Sequence, residues 1–246
     1  MKVFPAEFEG LLNKRGLRVL DQGAAGFRRG RSTGSMPTLE VVPGLIDEDV
    51  AQRCHALLDA SLLAHVKLVA APIPRESTSA MTRNYSECLH KVVRQRTIYL
   101  DSRRSQAYRQ AKEIGLVSML TSESLARFAE AMTGLKLERK NGVQAILYKH
   151  GDYVGPHNDH HPEELHLRNG YVDVHLSFTN DAVASQLVIC EGPDGHLNMC
   201  FDATRNGTIS VHRLPFWHHA TPLQAKRFRE QEARRWLLLA SYWIKA

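Results

Sequence analysis

Histidine and acidic side chains are crowded into the segment GDYVGPHNDHHPEE, residues 151–164. His157 and Asp159 are separated by one residue, and in an extended chain residues i and i+2 project to the same side. Their imidazole and carboxylate groups can therefore converge on one point while Asn158 faces away. Two imidazoles and one carboxylate form a metal site with open positions that suits non-heme Fe(II). The His-x-Asp tripeptide alone is weak evidence, because a polar surface loop has the same composition.

A third ligand would have to come from another part of the chain. Ten of the 13 histidines lie between positions 150 and 219. The segment WHHATP, residues 217–222, offers His218 and His219, which project to opposite sides of an extended strand. In YVDVHLSF, residues 171–178, His175 shares a strand face with Tyr171, Asp173 and Ser177, and is either directed toward the site or a core histidine. His160, His161 and His166 fit a pocket rim or, more simply, a solvated loop.

Taken together, YKHGDYVGPHND and WHHATP resemble the Fe(II)- and 2-oxoglutarate-dependent dioxygenases, in particular the prolyl-4-hydroxylase-like branch. In that pattern a tyrosine, a glycine turn and a hydrophobic residue precede His-x-Asp, and a distal histidine is followed four residues later by proline. The matching residues are Tyr148, Gly151, Tyr153, His157, Asp159, His218 and Pro222. The resemblance covers about residues 120–244, and the first hundred residues match only in layout.

The resemblance implies a role for each matching residue. His157, Asp159 and His218 would be the metal ligands and catalytic centre, with His219 the alternative to His218. A cation from the strand after the distal histidine would bind the far carboxylate of 2-oxoglutarate, and Tyr148 would donate its hydroxyl to the same cosubstrate or else pack in the core.

Three arginines are candidates for that cation. Arg235 shares its strand face with Trp243, as in the family motif, whereas Arg234 faces the other way. The usual spacing of about ten residues after the distal histidine points instead to Arg227. We interpret QAKRFREQEA as an inserted loop and favour Arg235, because its planar guanidinium can hold a carboxylate with two hydrogen bonds.

The activity implied is that of a non-heme iron 2-oxoglutarate-dependent dioxygenase, an oxidoreductase. With Fe(II), 2-oxoglutarate and O2, and ascorbate as a supporting reductant, it would hydroxylate or otherwise oxidise an unactivated C–H bond of a small-molecule or amino-acid-like substrate. Asp159 favours oxidation over halogenation, since halogenating relatives replace this carboxylate with a small residue. The alternatives are a prolyl-type hydroxylase of protein side chains and a non-catalytic β-barrel binding module.

Nucleic acid is disfavoured as the substrate. The nucleic-acid demethylases of this superfamily have two arginines six residues apart on the last strand, and the positions six beyond Arg234 and Arg235 are Ala240 and Ser241. The net charge of +6 would permit an acidic partner. The basic run KRFREQEARR is, however, interleaved with acids, which is typical of a solvated surface.

The elements that must position these residues fall into two groups. Apolar periodicity predicts helices in 44–65, capped by Asp47 or Asp49, in 105–120 and in 121–135, capped by Thr121 or Ser122 and ended by Gly134. From 137 onward, short β-rich segments separated by turns predict an antiparallel sandwich or barrel, with a hairpin at EGPDG, residues 191–195. The resemblance narrows this α+β fold to a double-stranded β-helix, a jelly-roll or cupin-like barrel supported by N-terminal helices.

Composition sets the remaining expectations. The 246 residues are 43% hydrophobic, enough for one dioxygenase domain, 1–246, with 1–136 as helical support and lid segments and 137–246 as the β-helix core. The longest apolar run, 236–244, is too short to cross a membrane, and the N-terminus does not resemble a secretory signal. We therefore expect a cytoplasmic protein with reduced cysteines. Residues 72–87 are a candidate lid, 22–37 are a candidate flexible connector, and the oligomeric state is not indicated.

Overall fold

The computed structural model describes residues 3–27, 39–73, 92–100, 102–159, 170–192 and 194–245. In these ranges the α-helices are α1 Lys14–Phe27, α2 Glu48–Leu62, α3 Gln106–Glu113, α4 Leu116–Leu120 and α5 Glu123–Thr133. The strands are β1 Leu39–Val42, β2 Lys67–Pro72, β3 Val92–Tyr99, β4 Leu137–Lys149, β5 Tyr153–His157, β6 Tyr171–Thr179, β7 Val183–Ser185, β8 Leu187–Glu191, β9 Leu197–Asp202, β10 Thr208–Leu214, β11 His218–Ala220, β12 Gln224–Ala225 and β13 Arg234–Ile244.

All the strands named above except β7 and β12, which pair with each other in a separate sheet, form one antiparallel sheet with a cavity between its two halves. One half has the order β1-β10-β6-β13-β4 and the other β5-β11-β8-β9. Strand β3 joins them, because Val93 pairs with Val154 of β5 whereas Arg96 pairs with Leu147 of β4. This arrangement is a nearly closed jelly-roll barrel and confirms the predicted double-stranded β-helix. The EGPDG hairpin is also confirmed, since β8 and β9 pair on either side of it.

Alternation along the strands separates the cavity from the helix-facing core. On β13, Trp236, Leu238, Ala240 and Tyr242 pack into the core that the helices cover, and the residues between them line the cavity. The same period of two places Val172 and Val174 of β6 in the core and Asp173 on the cavity side. Each strand of this half therefore supplies apolar support on one face and site chemistry on the other.

The predicted helices in the first half are confirmed, with one division. Ser122 caps α5 by accepting a hydrogen bond from the Leu125 amide at 3.3 Å, and Gly134 ends it in the left-handed conformation. The segment 105–120 is two helices, α3 and α4, because Gly115 between them has φ +77°. A side chain there would also meet the Phe4 carbonyl, so glycine permits both the turn and the close approach.

The N-terminal region differs from the sequence-based expectation in two places. Residues 22–27, predicted as part of a flexible connector, belong to α1, whereas 28–38 lie outside the described residues. Strands β2 and β3 were not predicted, and they join the sheet by pairing with each other along their lengths. Most of the candidate lid, residues 74–87, lies outside the described residues. No helix among the described residues is long and apolar enough to cross a membrane.

Candidate active site

A cavity of about 450 Å³ lies between the two halves of the barrel. Its lining combines alternate residues of β4, β6, β10 and β13 with residues of β5, β8 and β11 on the opposite side. His157, Asp159 and His218 lie along this cavity together with Arg235 and Tyr148. The site residues predicted from three separate segments of the chain therefore lie along one cavity.

His157, Asp159 and His218 form a cluster with the composition of a metal site. Their ligand atoms all lie within 4.8 Å of one another. The two histidines are direct register partners across β5 and β11, and their Nε2 atoms are 3.5 and 3.4 Å from the two carboxylate oxygens of Asp159. Atoms bound to one ion at about 2.1 Å each are separated by roughly 3 to 4 Å, so the spacing suits a single ion.

Asp159 reaches the cluster by a route that strand alternation does not describe. Strand β5 ends at His157, and Asp159 follows with φ +53°, in the left-handed region. Aspartate tolerates this region better than most non-glycine residues. The convergence predicted for His157 and Asp159 is therefore present, but a turn after the strand produces it. The hydroxyl of Tyr171 donates to the Asp159 carbonyl at 3.0 Å and stabilises that turn.

The hydrogen bonds of the two histidines fix which ring nitrogen faces the cluster. Nδ1 of His157 is 2.8 Å from the Gly155 carbonyl, and Nδ1 of His218 is 2.9 Å from the Phe216 carbonyl. A carbonyl only accepts, so each Nδ1 carries a proton, and Nε2 is the ring nitrogen that faces Asp159. Burial, and then the neighbouring His157, lower the pKa of His218 to about 4. Two Nε2 atoms and a carboxylate directed at one point form a donor set that fits a divalent metal.

A buried ion-pair network holds the turn that precedes the cluster. Asp152 is completely buried, its carboxylate contacts the Arg96 guanidinium, and it accepts from the Lys149 amide at 2.9 Å. Arg94 lies 3.5 Å away on the same strand as Arg96. The network attaches the β4–β5 turn to β3, and so it helps to fix the position of β5 and of His157 at its end.

Arg235 is a buried cation at the opposite end of β13 from Ser241 and Trp243. It is 4% exposed, and its Nε donates to Ser177 Oγ at 2.8 Å and to the Ala203 carbonyl at 2.9 Å. Its Nη1 donates to Gln186 Oε1 at 3.0 Å. None of the ion pairs formed by the described residues includes Arg235. Burial lowers its pKa to about 10, so it remains charged at neutral pH, and a buried cation held only by neutral acceptors favours an anionic ligand.

Tyr148 lies beside Arg235, but its hydroxyl has a protein partner. It donates to Gln95 Oε1 at 2.8 Å, and the Arg235 guanidinium lies 5.3 Å from the centre of its ring. Burial raises the pKa of Tyr148 to about 12, so the phenol stays protonated at neutral pH. Donation to a cosubstrate would require the bond to Gln95 to be exchanged.

The other residues considered from the sequence occupy different environments. His219 lines the cavity but is not part of the three-residue cluster. Arg234 pairs with Asp59 at 3.4 Å on the helix-facing side, and Arg227 is exposed, with its guanidinium 4.5 Å from the centre of the Phe228 ring. His160, His161 and His166 lie outside the described residues.

Sequence reasoning did not assign several polar residues that the fold brings to the cavity. His212 is 1% exposed, stacks on His175 with ring centres 4.1 Å apart, and lies 5.9 Å from the ring of His218. Burial lowers the pKa of His212 well below its ordinary range, so this ring is neutral. Gln186 and Gln95 hold Arg235 and Tyr148. The sequence signal for His175 is the strand face that it shares with Asp173 and Tyr171. No local sequence pattern marks Gln186 as a residue that contacts Arg235.

Solved structures with the same fold share a cofactor chemistry. The chain is similar to a 2OG-Fe(II) oxygenase family oxidoreductase from Burkholderia pseudomallei. The match covers 94% of this chain and 92% of that chain, with 15% sequence identity and a TM-score of 0.54. The fold is that of the 2-oxoglutarate-dependent iron oxygenases. The chain is also similar to two proteins of nogalamycin biosynthesis with the oxygenase fold. One is the non-heme alpha ketoglutarate dependent carbocyclase SnoK, with 12% identity, 99% of this chain and 87% of that chain covered, and a TM-score of 0.52. The other is the non-heme alpha ketoglutarate dependent epimerase SnoN, with 15% identity, 92% of this chain and 84% of that chain covered, and a TM-score of 0.51.

The likeness lies in structure and not in sequence. No protein-family model matches the chain, and no curated protein sequence does. The comparisons therefore confirm the oxygenase fold anticipated from the His-x-Asp and distal-histidine segments. The roles of individual residues rest on the geometry of the cavity.

Proposed function

We propose that this chain is an Fe(II)- and 2-oxoglutarate-dependent oxygenase that oxidises an unactivated C–H bond of a small-molecule or amino-acid-like substrate. The observation that supports this most strongly is the arrangement of charge in one cavity. Two histidines and an aspartate converge along it, and the buried Arg235, which forms no ion pair with the described residues, lines the same cavity. A metal at the first position and the far carboxylate of a dicarboxylate at the second would satisfy both.

Each residue has a task in this proposal. His157, Asp159 and His218 would hold the metal through Nε2 atoms and a carboxylate, and the backbone carbonyls at Gly155 and Phe216 keep the imidazoles oriented. Arg235 would bind the far carboxylate of 2-oxoglutarate through its guanidinium. Bound iron would supply the oxidation chemistry with O2 and 2-oxoglutarate, while the protein excludes water and places the substrate.

The proposed reaction is oxidation in general and not hydroxylation alone, because proteins with this fold carry out different reactions. Of two proteins with the same fold, one is a carbocyclase and the other an epimerase, and the epimerase was solved with Fe3+, alpha ketoglutarate and nogalamycin RO. One barrel thus supports different outcomes because loops place the substrate. A small-molecule substrate fits a cavity of about 450 Å³. A prolyl-type protein substrate is the second candidate, since the sequence motif resembles that branch.

Succinate formation tests the proposal. Purified protein with Fe(II), 2-oxoglutarate and ascorbate is expected to release succinate slowly even without a primary substrate, and Asp159→Ala is expected to release none above background. Loss of this carboxylate removes one ligand and leaves the two imidazoles without their anionic partner. The measurement is succinate by mass spectrometry, with metal-free protein as the blank.

Equal succinate release by the native protein and by Asp159→Ala would remove the enzyme proposal. The control variant is Asp194→Asn, an exposed carboxylate in the β8–β9 turn, which is expected to behave as the native protein. A non-catalytic binding module predicts no succinate from any of the three proteins.

A positioning role for Gln186 gives a further prediction. This amide is fully buried, and it accepts from Arg235 at 3.0 Å while its Nε2 donates to the Thr221 carbonyl at 3.0 Å. Gln186→Glu would place a carboxylate on the guanidinium that is proposed to bind 2-oxoglutarate. We expect the KM for 2-oxoglutarate to rise by about tenfold or more, with a smaller effect on kcat, since a charge-assisted hydrogen bond contributes roughly 1.5 to 3 kcal/mol.

The matched control for this change is Gln224→Glu, the same substitution at an exposed position. Its KM for 2-oxoglutarate is expected to equal that of the native protein. Thermal unfolding of both variants separates a binding defect from a loss of structure. An unchanged KM in a folded Gln186→Glu protein would show that Arg235 does not bind the cosubstrate.

A further inference from the structure

Asp173 is a buried carboxylate on the cavity face of β6. It is 6% exposed, and its register partners are His212 on β10 and Ser241 on β13. All three residues line the cavity. Asp173 is therefore an acidic group inside the barrel, and its presence cannot be explained as that of a solvated surface charge.

The carboxylate has no hydrogen-bond donor among the described residues. The His175 Nε2 lies 3.8 Å from Oδ2, beyond hydrogen-bonding distance. Asp173 Oδ1 and His175 Nε2 are both buried atoms without a hydrogen-bond partner in the part of the chain that the structure describes. A buried carboxylate is strongly destabilising unless a cation or a donor accompanies it.

The formal charges that line the cavity also single out Asp173. Among the described lining residues, the side chains with a formal charge at neutral pH, histidines aside, are Asp159, Asp173 and Arg235. In the proposed function the metal balances Asp159, and the far carboxylate of 2-oxoglutarate balances Arg235. Asp173 is then the remaining charge, and among the described residues the ion-pair contact of its carboxylate is the His175 ring at 3.8 Å.

Asp173 lies at the metal end of the cavity. Tyr171, two residues before it on β6, donates its hydroxyl to the backbone of Asp159, and the ring of His212 is 5.9 Å from that of His218. Arg235 lies six residues from Ser241 along β13, which corresponds to roughly 20 Å of strand. The anionic and cationic groups are therefore at opposite ends, and a cation bound at Asp173 would not approach Arg235.

We propose that Asp173 binds a protonated amine of the primary substrate, and that it orients this substrate beside the metal. An ammonium group supplies both the charge and the N–H donors that the carboxylate lacks. Tyr171 and Trp243 line the same end, and aromatic faces stabilise a nearby ammonium. The role as a substrate site rests on the proposed function, whereas amine binding itself does not.

Ligand-observed NMR tests the binding directly. The protein is loaded with Zn(II) and 2-oxoglutarate, and n-butylammonium is compared with n-butanol and butyrate, which match its carbon chain. We expect saturable binding of n-butylammonium alone, weakened by about tenfold or more in Asp173→Asn, because the amide carries no charge to pair with the ammonium group. Asp21→Asn, an exposed carboxylate on α1, is the control and is expected to bind as the native protein does.

A second measurement on the native protein covers the case in which Asp173→Asn does not fold. With Mn(II) in place of Zn(II), the proton signals of n-butylammonium are expected to broaden strongly, and those of n-butanol are not, because the site adjoins the metal. Absence of saturable amine binding, equal binding of the alcohol, or undiminished binding by a folded Asp173→Asn would each overturn the proposal. Succinate release by the native protein, measured on the same preparation, decides the proposed oxygenase activity separately.

Discussion

His218→Ala is expected to lose metal binding by at least about 100-fold, whereas the neighbouring His219→Ala is expected to lose no more than about tenfold. Both side chains are nearly buried and line the same cavity. The His218 Nε2 lies 3.4 Å from the Asp159 carboxylate and belongs to the cluster of possible ligand atoms, which does not include His219. Loss of a residue that only supports a metal site typically costs roughly 10- to 100-fold. Removing the ligand His218 should exceed this range, whereas His219, which lies outside the cluster, should fall at or below its lower end.

The measurement is equilibrium dialysis with Mn(II) or anaerobic Fe(II), followed by metal analysis of the protein. Because the two substitutions are identical and adjacent in sequence, general loosening of β11 would affect both variants. A stronger loss in His219→Ala would reverse the assignment of the distal ligand. Equal affinity in both variants and in the native protein would place the metal elsewhere.

Arg235→Met is expected to raise the KM for 2-oxoglutarate by about 100-fold or more. Truncating one partner of a buried, hydrogen-bonded charge pair costs roughly 2 to 5 kcal/mol, and about 1.4 kcal/mol corresponds to a factor of ten. The variant should also lose its preference for 2-oxoglutarate over 2-oxopentanoate, which lacks the far carboxylate. Rates of 2-oxo acid consumption, measured for both compounds, give the ratio.

Arg234→Met is the matched control, since Arg234 is adjacent in sequence and pairs with Asp59 outside the cavity. Its KM for 2-oxoglutarate is expected to stay within about twofold of the native value, although loss of the ion pair can lower stability. Arg227→Met, at an exposed position, is expected to change neither property. If Arg227→Met instead raised the KM, the spacing rule of the family would outweigh the strand-face argument.

The sequence carried enough information to predict the barrel and its inward face. Period-two alternation on β13 placed Arg235 with Leu237, Leu239 and Ser241, and these residues line the cavity. The same argument applied to β6 grouped Asp173 with His175. Such patterns are readable because one residue shift would move every apolar side chain out of the core.

Other features depend on contacts between distant segments and left no local pattern. Asp159 joins the cluster through a left-handed turn, which an extended interpretation of the segment does not contain. Strand β3 is short, partly exposed and rich in charge, yet its Arg96 binds the buried Asp152, and its Gln95 binds Tyr148. Gln186 contacts Arg235 across 49 positions of sequence. Burial without a partner, as at Asp173, is a property of the assembled cavity alone.

We propose that one metal ion binds between His157, Asp159 and His218, and the proposed function depends on this ion. A crystal structure of the protein grown anaerobically with Mn(II) and 2-oxoglutarate, with anomalous data collected for manganese, tests it most directly. We predict one anomalous peak in the cavity, about 2.0 to 2.2 Å from both Nε2 atoms and from one Asp159 oxygen, with the far carboxylate of 2-oxoglutarate on Arg235. A peak bound by other residues, or a cavity without metal at saturating Mn(II), would contradict the account.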